Sequence, residues 1–346
     1  MASYPKNAWY PLTWARDVSR KLLHRRVLGE DIVVYQMENG DYAALEDACP
    51  HKMVPLSMGT LRGDTIECGY HGLTFNCEGT CTAAPGQPRI PGVRVRSFPV
   101  KHHVGLVWIW MGDPANAEAT PLIDIPQYND PAFSLLEGDA LPLAANYLSL
   151  ADNLCDPTHV GFVHKTTLSN SSYQEIPVFH KQEGSMVVTW RWIIDSTLIP
   201  LFEGIKDFGG NVDRWHYYYY HAPCVAIVDF GSAKTGTGAP EGHREGSIEM
   251  YACHFITPVD EHNCIQHWFI LKNMPGTPEL DARLEAMERF VLNEDKVLLE
   301  AAEANERKRP GWKPLRIASD ASSVKMRKIV SNMIEAENAP ATSPSL

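Results

Sequence analysis

The sequence predicts an α+β protein, with an all-β first third and a second part in which a mostly antiparallel sheet accompanies one long helix. Three observations carry this prediction. Short β-rich runs punctuated by Gly and Pro fill the first third. Further β-branched and aromatic runs recur as far as Leu271. A single apolar stripe at helical spacing then extends from about Pro278 to Lys308.

In the first third, Asp31 to Met37 (DIVVYQM) and Tyr42 to Leu45 flank the turn Glu38-Asn39-Gly40, and Val104 to Met111 (VGLVWIWM) follows an extended stretch from Val93 to Val100. The segment MGDPANAEATPLIDIP, Met111 to Pro126, holds three prolines and little periodicity, so a domain junction is placed there. Asn146 to Val163 reads as helical in its first part. Met186 to Ile194, Trp215 to His221, Val225 to Phe230, Ser247 to Thr257 and Cys264 to Leu271 read as strands. In the long helix, Leu284, Met287, Val291, Leu298 and Ala302 fall on one stripe. The last dozen residues, ending AENAPATSPSL, read as disordered. The expected division is a first domain over 1–115, a second over 116–335, and a tail over 336–346.

A chain of 346 residues is long enough for two or three domains and a sizeable core. With 31 Lys plus Arg against 42 Asp plus Glu, the net charge is −11, which argues against nucleic-acid binding. No run approaches 18 uninterrupted apolar residues, and the opening MASYPKNAWYPLTWARDVSR lacks the charged-then-apolar pattern of a secretory signal. No membrane association and a cytoplasmic location are expected. Eight cysteines are too sparse for a disulfide scaffold and read as reduced thiols or metal ligands. Gly236-Thr237-Gly238 lies in a Gly/Thr/Pro loop without the strand and helix that a dinucleotide-binding loop requires.

Two constellations carry chemistry. In the first, Cys49-Pro50-His51 is followed by Cys68-Gly69-Tyr70-His71-Gly72, giving two thiolates and two imidazoles on two loops. Thiolates hold and neutralise iron, and neutral imidazoles raise the cluster's potential, as in a Rieske [2Fe–2S] centre. Structural zinc with Cys₂His₂ ligation is the rival, although zinc fingers usually space their ligands differently. Cys77 and Cys81, just beyond, read as ordinary thiols.

The segment CPHKMVPLSMG…IECGYHGLTFNCEGTC resembles the Rieske domain of the mononuclear-iron oxygenases. The branch it resembles includes vanillate O-demethylase oxygenase, dicamba monooxygenase and toluenesulfonate methyl-monooxygenase. NAWYPL, VRSFPV, VWIWMGDP and the second constellation fit that branch, so the resemblance covers nearly the whole chain. It implies an all-β Rieske domain followed by a helix-grip (START-like) domain with an antiparallel sheet and a long C-terminal helix.

The second constellation is ADNLCDPTHVGFVH, Ala151 to His164. Asn153, Asp156 and His159 are spaced by three, and Gly161 permits a bend before His164. Asp295 falls within the apolar stripe of the long helix, where an unpartnered carboxylate is costly. Two His and one carboxylate make the facial triad of non-haem Fe(II) oxygenases, while satisfied core histidines remain the bland reading. The resemblance implies that His159, His164 and Asp295 are the iron ligands, with Glu294 the alternative carboxylate. It further implies that Asp156 connects a Rieske histidine of one subunit to an iron histidine of its neighbour in a head-to-tail homotrimer. Asn153 is a candidate distant ligand. His254, Asp229 and Trp268, on strands of the second domain, are candidate substrate contacts, and Arg191 and Arg214 candidate partners for an acidic substrate.

The implied function is the terminal oxygenase of a Rieske monooxygenase system with a [2Fe–2S] cluster and a mononuclear Fe(II). It would use O₂ and electrons from a separate NAD(P)H-dependent reductase, with or without a ferredoxin. The first expectation is O- or N-dealkylation of a small aromatic compound through methyl hydroxylation. Benzylic-methyl or ring hydroxylation of an aromatic acid is the runner-up. A Rieske electron carrier fused to a non-catalytic ligand-binding domain is the alternative from another class.

Overall fold

The computed structural model describes residues 4–89, 92–169 and 176–339. The chain divides into two compact units. The first runs to Leu122 and also takes in residues 257–261 and the described residues from Ile334 onward. The second comprises Ile123–Ile256 and His262–Met333.

The first unit is all β. Its strands are β1 (Trp9–Trp14), β2 (Leu23–Val27), β3 (Glu30–Gln36), β4 (Tyr42–Glu46), β5 (Thr60–Arg62), β6 (Thr65–Glu67), β7 (Thr74–Phe75), β8 (Cys81–Ala83), β9 (Ser97–Phe98), β10 (Val100–His103) and β11 (Leu106–Trp110). They form three antiparallel sheets, ordered β1-β11-β10, β2-β3-β4-β9 and β5-β6-β7-β8. The β-branched run of β3 and the aromatic run of β11 are buried, which explains why both read as unbroken apolar stretches rather than alternating ones. Val33, Tyr35, Leu45, Leu56, Ile66 and Phe75 pack into one core with the thiols of Cys49 and Cys68. The later segments are pinned locally. Leu28 N donates to the Pro258 carbonyl at 2.8 Å, and the Glu337 carboxylate accepts from the backbone N–H of Lys6 and Asn7.

The second unit holds one seven-stranded sheet built from β12 (Ser134–Leu143), β13 (Phe179–Glu183), β14 (Met186–Ser196), β15 (Val212–His221), β16 (Val225–Lys234), β17 (Ile248–Asp260) and β18 (Asn263–Lys272). Its order is β12-β18-β17-β16-β15-β14-β13. Four helices accompany it: α1 (Tyr147–Asn153), α2 (Val160–Val163), α3 (Pro278–Glu306) and α4 (Ala321–Asn338). β12 is bulged between Glu137 and Ala140, and Gly138 sits in the bulge. A Cβ there would meet the Trp268 carbonyl at 1.9 Å, so only glycine permits this approach.

α3 matches the helix expected from the stripe almost to the residue. Thr277 caps it by accepting from Leu280 N, Pro278 opens it, and Glu279 and Asp281 occupy its positive first turn. Leu284 and Leu292 bury against Leu136, Phe230, Met250, Trp268 and Ile270 of the sheet. The far end corrects the sequence reading. Leu298 and Ala302 are exposed, and the buried positions are instead Val291, Leu292, Asp295 and Glu303. A 3.6-residue period drifts away from steps of seven, so the true face passes through 291, 295 and 303.

α4 was not expected, and residues 336–338, assigned to the disordered tail, are helical. The helix buries Met326, Ile329 and Val330 at helical spacing and adds polar contacts. Ser322 Oγ donates to the Cys155 carbonyl, Ser323 Oγ donates to the Asp152 carbonyl, and Arg327 grips the Asp152 carboxylate with Nε and Nη2. These contacts hold the segment that precedes His159.

Candidate metal centres and cavity

The two Cys-His loops of the first unit share one backbone design. In one, Cys49 N donates to Val54 O at 2.9 Å and Met53 N donates to Cys49 O at 2.8 Å. In the other, Cys68 N donates to Leu73 O at 2.8 Å and Gly72 N donates to Cys68 O at 3.0 Å. Each loop therefore closes four residues after its cysteine, at a residue in the left-handed region: Met53 at φ 58° and Gly72 at φ 71°. The repeated turn buries both thiols side by side and exposes the His51 and His71 rings, whose centroids are 4.5 Å apart. Burial and the adjacent Cys68 raise the Cys49 thiol, while the backbone N–H groups of His51 and Lys52 work to lower it. Two inner sulfurs and two outer imidazoles form the donor set that a Rieske cluster requires, with the thiolate iron inside and the imidazole iron at the surface. Near the second loop, Arg62 is paired with Glu67.

In the second unit, His159, His164 and Asp295 converge, with donor atoms within 4.8 Å of one another. Asp295 Oδ1 lies 3.3 Å from His164 Nε2 and 3.7 Å from His159 Nε2. Neighbouring ligands of a metal bound at about 2.1 Å stand about 3 Å apart, so the set is near the required spacing. The opposite ring nitrogens are engaged. His159 Nδ1 meets the Asp156 carbonyl, and His164 Nδ1 lies 2.8 Å from Glu294 Oε2. Glu294 thus holds the His164 ring from behind and leaves Asp295 as the converging carboxylate. Such a partner fixes an imidazole's tautomer and orientation. Asn153 Nδ2 donates to Asp295 Oδ1 at 2.9 Å, and Asn153 Oδ1 is buried without a partner among the described residues. Burial would raise the Asp295 carboxyl, but the His164 and His159 imidazoles outweigh it and hold it below its ordinary value. Burial lowers His159. An ionised carboxylate, two imidazole Nε2 atoms and an orphaned amide oxygen suit a divalent iron with open positions.

Asp156 has a divided environment. Its Oδ1 accepts from Thr158 N at 2.7 Å and Thr158 Oγ1 at 2.6 Å, fixing the Asp-Pro-Thr turn. Its Oδ2 receives no hydrogen bond from the described residues.

The triad opens onto a cavity of about 580 Å³, mouth included. Its apolar wall includes Leu168, Val228, Phe230, Ala252, Val291 and Leu292. Of the three candidate substrate contacts, only His254 lines it. Gln266 Nε2 stands 3.0 Å from His254 Nδ1, and burial lowers the ring to about 4, so it is neutral. Trp268 instead packs in the helix–sheet core. Asp229 accepts from Trp215 Nε1 at 2.6 Å and pairs with Arg244 at 2.9 Å, on the face opposite His216 and Tyr218. Replacing Asp229 with alanine is therefore expected to cost about 2 kcal/mol of folding stability, because it leaves the buried Trp215 Nε1 without its acceptor and Arg244 with Glu249 alone. Denaturant unfolding checks this, and a substrate-affinity defect with unchanged stability would contradict it. Arg191 Nη2 donates to the Pro157 carbonyl and Arg214 Nε to Ser196 Oγ, and neither arginine lines the cavity.

The sequence reading missed His216, Tyr218 and Glu288, all of which line the cavity. Period-two alternation along WHYYYYH placed His216 and Tyr218 on a common face but did not say which face looks inward. Glu288 lies four beyond Leu284 and three before Val291, inside the buried stripe, where it could have been noticed by the argument that singled out Asp295.

The sequence matches two family descriptions: a Rieske [2Fe-2S] domain over residues 8–99, and a vanillate O-demethylase oxygenase C-terminal domain over residues 143–336. It is 35% identical to a putative toluene-4-sulfonate monooxygenase system iron-sulfur subunit of Comamonas testosteroni, over 96% of this chain and 98% of that protein. It is 32% identical to a vanillate O-demethylase oxygenase subunit of a Pseudomonas species, over 96% of each chain. Its fold superposes on the crystal structure of dicamba monooxygenase bound to dicamba with a TM-score of 0.88 and 29% identity, over 98% of this chain and 100% of that one. No helix among the described residues is long and apolar enough to cross a membrane.

Proposed function

This chain belongs to the Rieske non-haem iron monooxygenases, as an oxygenase component with a vanillate O-demethylase-type C-terminal domain, and we propose that it removes an O- or N-alkyl group from a small aromatic compound. The observation that carries this reading is the convergence of His159, His164 and Asp295 on the wall of a largely apolar cavity. Cys49, His51, Cys68 and His71 would hold the [2Fe–2S] cluster, and His159, His164 and Asp295 the mononuclear Fe(II). When bound, these groups supply electron delivery and O₂ activation.

The chain's own residues do the rest. The apolar wall packs a ring and excludes water, and His254 is a neutral polar group for orienting it. Glu294 and the Asp156 carbonyl hold the two ligand rings with Nε2 facing Asp295. Hydroxylation of a methyl on oxygen or nitrogen gives a hemiacetal or carbinolamine, which collapses and releases formaldehyde. A screen of methoxy-, N-alkyl- and methyl-aromatics with a surrogate reductase tests this reading. Formaldehyde is the expected product. Hydroxylated methyl-aromatics without formaldehyde from any substrate would replace dealkylation by benzylic hydroxylation.

As an oxygenase component the chain takes electrons from a separate partner. We assign that role to an NAD(P)H-dependent reductase, with or without a ferredoxin, in the cytoplasm. The exposed His51 and His71, beside exposed Met53, Met58 and Tyr70, offer an electron entry surface. The purified chain alone is expected not to oxidise NADH. Steady NADH-dependent turnover without a second protein, followed at 340 nm, would contradict this. We further place the chain in a head-to-tail homotrimer, with Asp156 Oδ2, which receives no hydrogen bond from the described residues, as its link between one subunit's cluster and the next subunit's iron site.

A further inference from the structure

Glu288 lies on α3 seven residues before Asp295, about 10 Å along the helix axis, and lines the same cavity. Its carboxyl receives no hydrogen bond from any described residue. Burial raises it to about 7, Asp295 adds to this, and His164 opposes it. Glu288 is partly buried, and an acid facing a largely apolar cavity without a partner is costly unless a ligand supplies one.

The cavity lining offers Glu288 no lysine or arginine among the described residues, and Glu288 and Asp295 are its acids. Burial lowers His216 well below its ordinary value, and His254 to about 4, so neither supplies a cation at neutral pH. Arg191 and Arg214, whose charges help keep His216 neutral, donate to Pro157 and Ser196 instead. Asp295 belongs to the iron triad, so an aromatic carboxylate or sulfonate in this space would meet Glu288, the acid of the lining outside that triad, with no guanidinium or ammonium lining the cavity to offset it. An amide, phenol or amine would bring the donor that Glu288 lacks.

We propose that Glu288 determines substrate specificity, and that the cavity takes an uncharged or amine-bearing alkylated aromatic whose N–H or O–H donates to Glu288, in preference to an aromatic acid. This rests on the oxygenase reading above and specifies its substrate class. Family membership does not fix that class, because the charge of the lining belongs to this chain.

The test uses three probes of one shape: 3-methoxybenzoate, 3-methoxybenzamide and 3-methoxybenzylamine. Their binding to the metal-loaded protein is measured anaerobically by titration calorimetry. The amide and the amine are expected to bind at least about tenfold more tightly than the benzoate, about 1.4 kcal/mol. Glu288→Gln, with cluster absorbance and iron content retained, is expected to reduce the amine's advantage over the benzoate about tenfold. A wild-type protein that binds benzoate as tightly as the amide overturns the proposal, whatever the variant does. So does an unchanged ratio in Glu288→Gln. Formaldehyde release with a reductase is scored separately. A benzoate-preferring protein that releases formaldehyde keeps the oxygenase reading and loses this one. The expected ranking in a protein with about two irons per chain and no formaldehyde would do the reverse.

Discussion

Asp295→Ala is expected to lower iron content from about three to about two per chain and abolish turnover, while the red-brown cluster absorbance survives. The two outcomes separate because the donors lie in different units: Cys49, His51, Cys68 and His71 in the first, and His159, His164 and Asp295 in the second. Removing Asp295 takes away the only anionic donor of the triad and the oxygen that Asn153 Nδ2 and His164 Nε2 share. Glu294 cannot substitute without surrendering His164 Nδ1, which it holds at 2.8 Å. Asp295→Asn keeps the volume and one acceptor oxygen but loses the charge, so it should fail to load iron with little loss of fold. Full iron and activity in either variant would move the ligand role to another acid. About two irons per chain in the unmodified protein would instead favour an electron carrier with a non-catalytic ligand domain.

The metal centres were legible in the sequence for a physical reason. A metal needs specific donor types at close quarters, and short local spacings supply most of them: Cys49 with His51, Cys68 with His71, and His159 with His164. Asp295 was reachable only because a carboxylate in an apolar stripe is an anomaly. The same logic applied to the next position would have found Glu288, which lies beside Met287 on the face that packs against the core, whereas Leu298 lies off that face. The substrate candidates fared differently. Asp229 and Trp268 lie on strands of the right sheet, yet sheet alternation gives two faces and no sign of which is inward. Trp215 and Arg244 claim Asp229, and α3 packs over Trp268's neighbourhood. α4 escaped because its buried stripe is short: Met326, Ile329 and Val330 are the apolar residues it buries, and Ser322, Ser323 and Arg327, residues that ordinarily mark a solvated surface, supply the rest of its attachment.

Asp156→Asn is expected to cut product formation by about 100-fold while leaving both metal centres loaded and the cluster reducible. The local structure explains why the substitution is clean. Asparagine keeps an Oδ1 to accept from Thr158 N and Thr158 Oγ1, so the turn that delivers His159 persists. What changes is the other oxygen, from an acceptor carrying charge to an amide donor. If that atom joins a neighbouring subunit's Rieske histidine to this subunit's iron site, the damage falls on transfer between chains alone. Mixed trimers sharpen the test. A Cys68→Ser chain loses its cluster but keeps Asp156 and its iron ligands, and an Asp156→Asn chain keeps its cluster. With transfer running from one chain's cluster to the next chain's iron, the mixture should regain part of the activity that neither parent shows. Full activity in Asp156→Asn homotrimers removes the bridge. A mixture as inactive as its parents, with mixed trimers confirmed by mass, places the transfer within one chain.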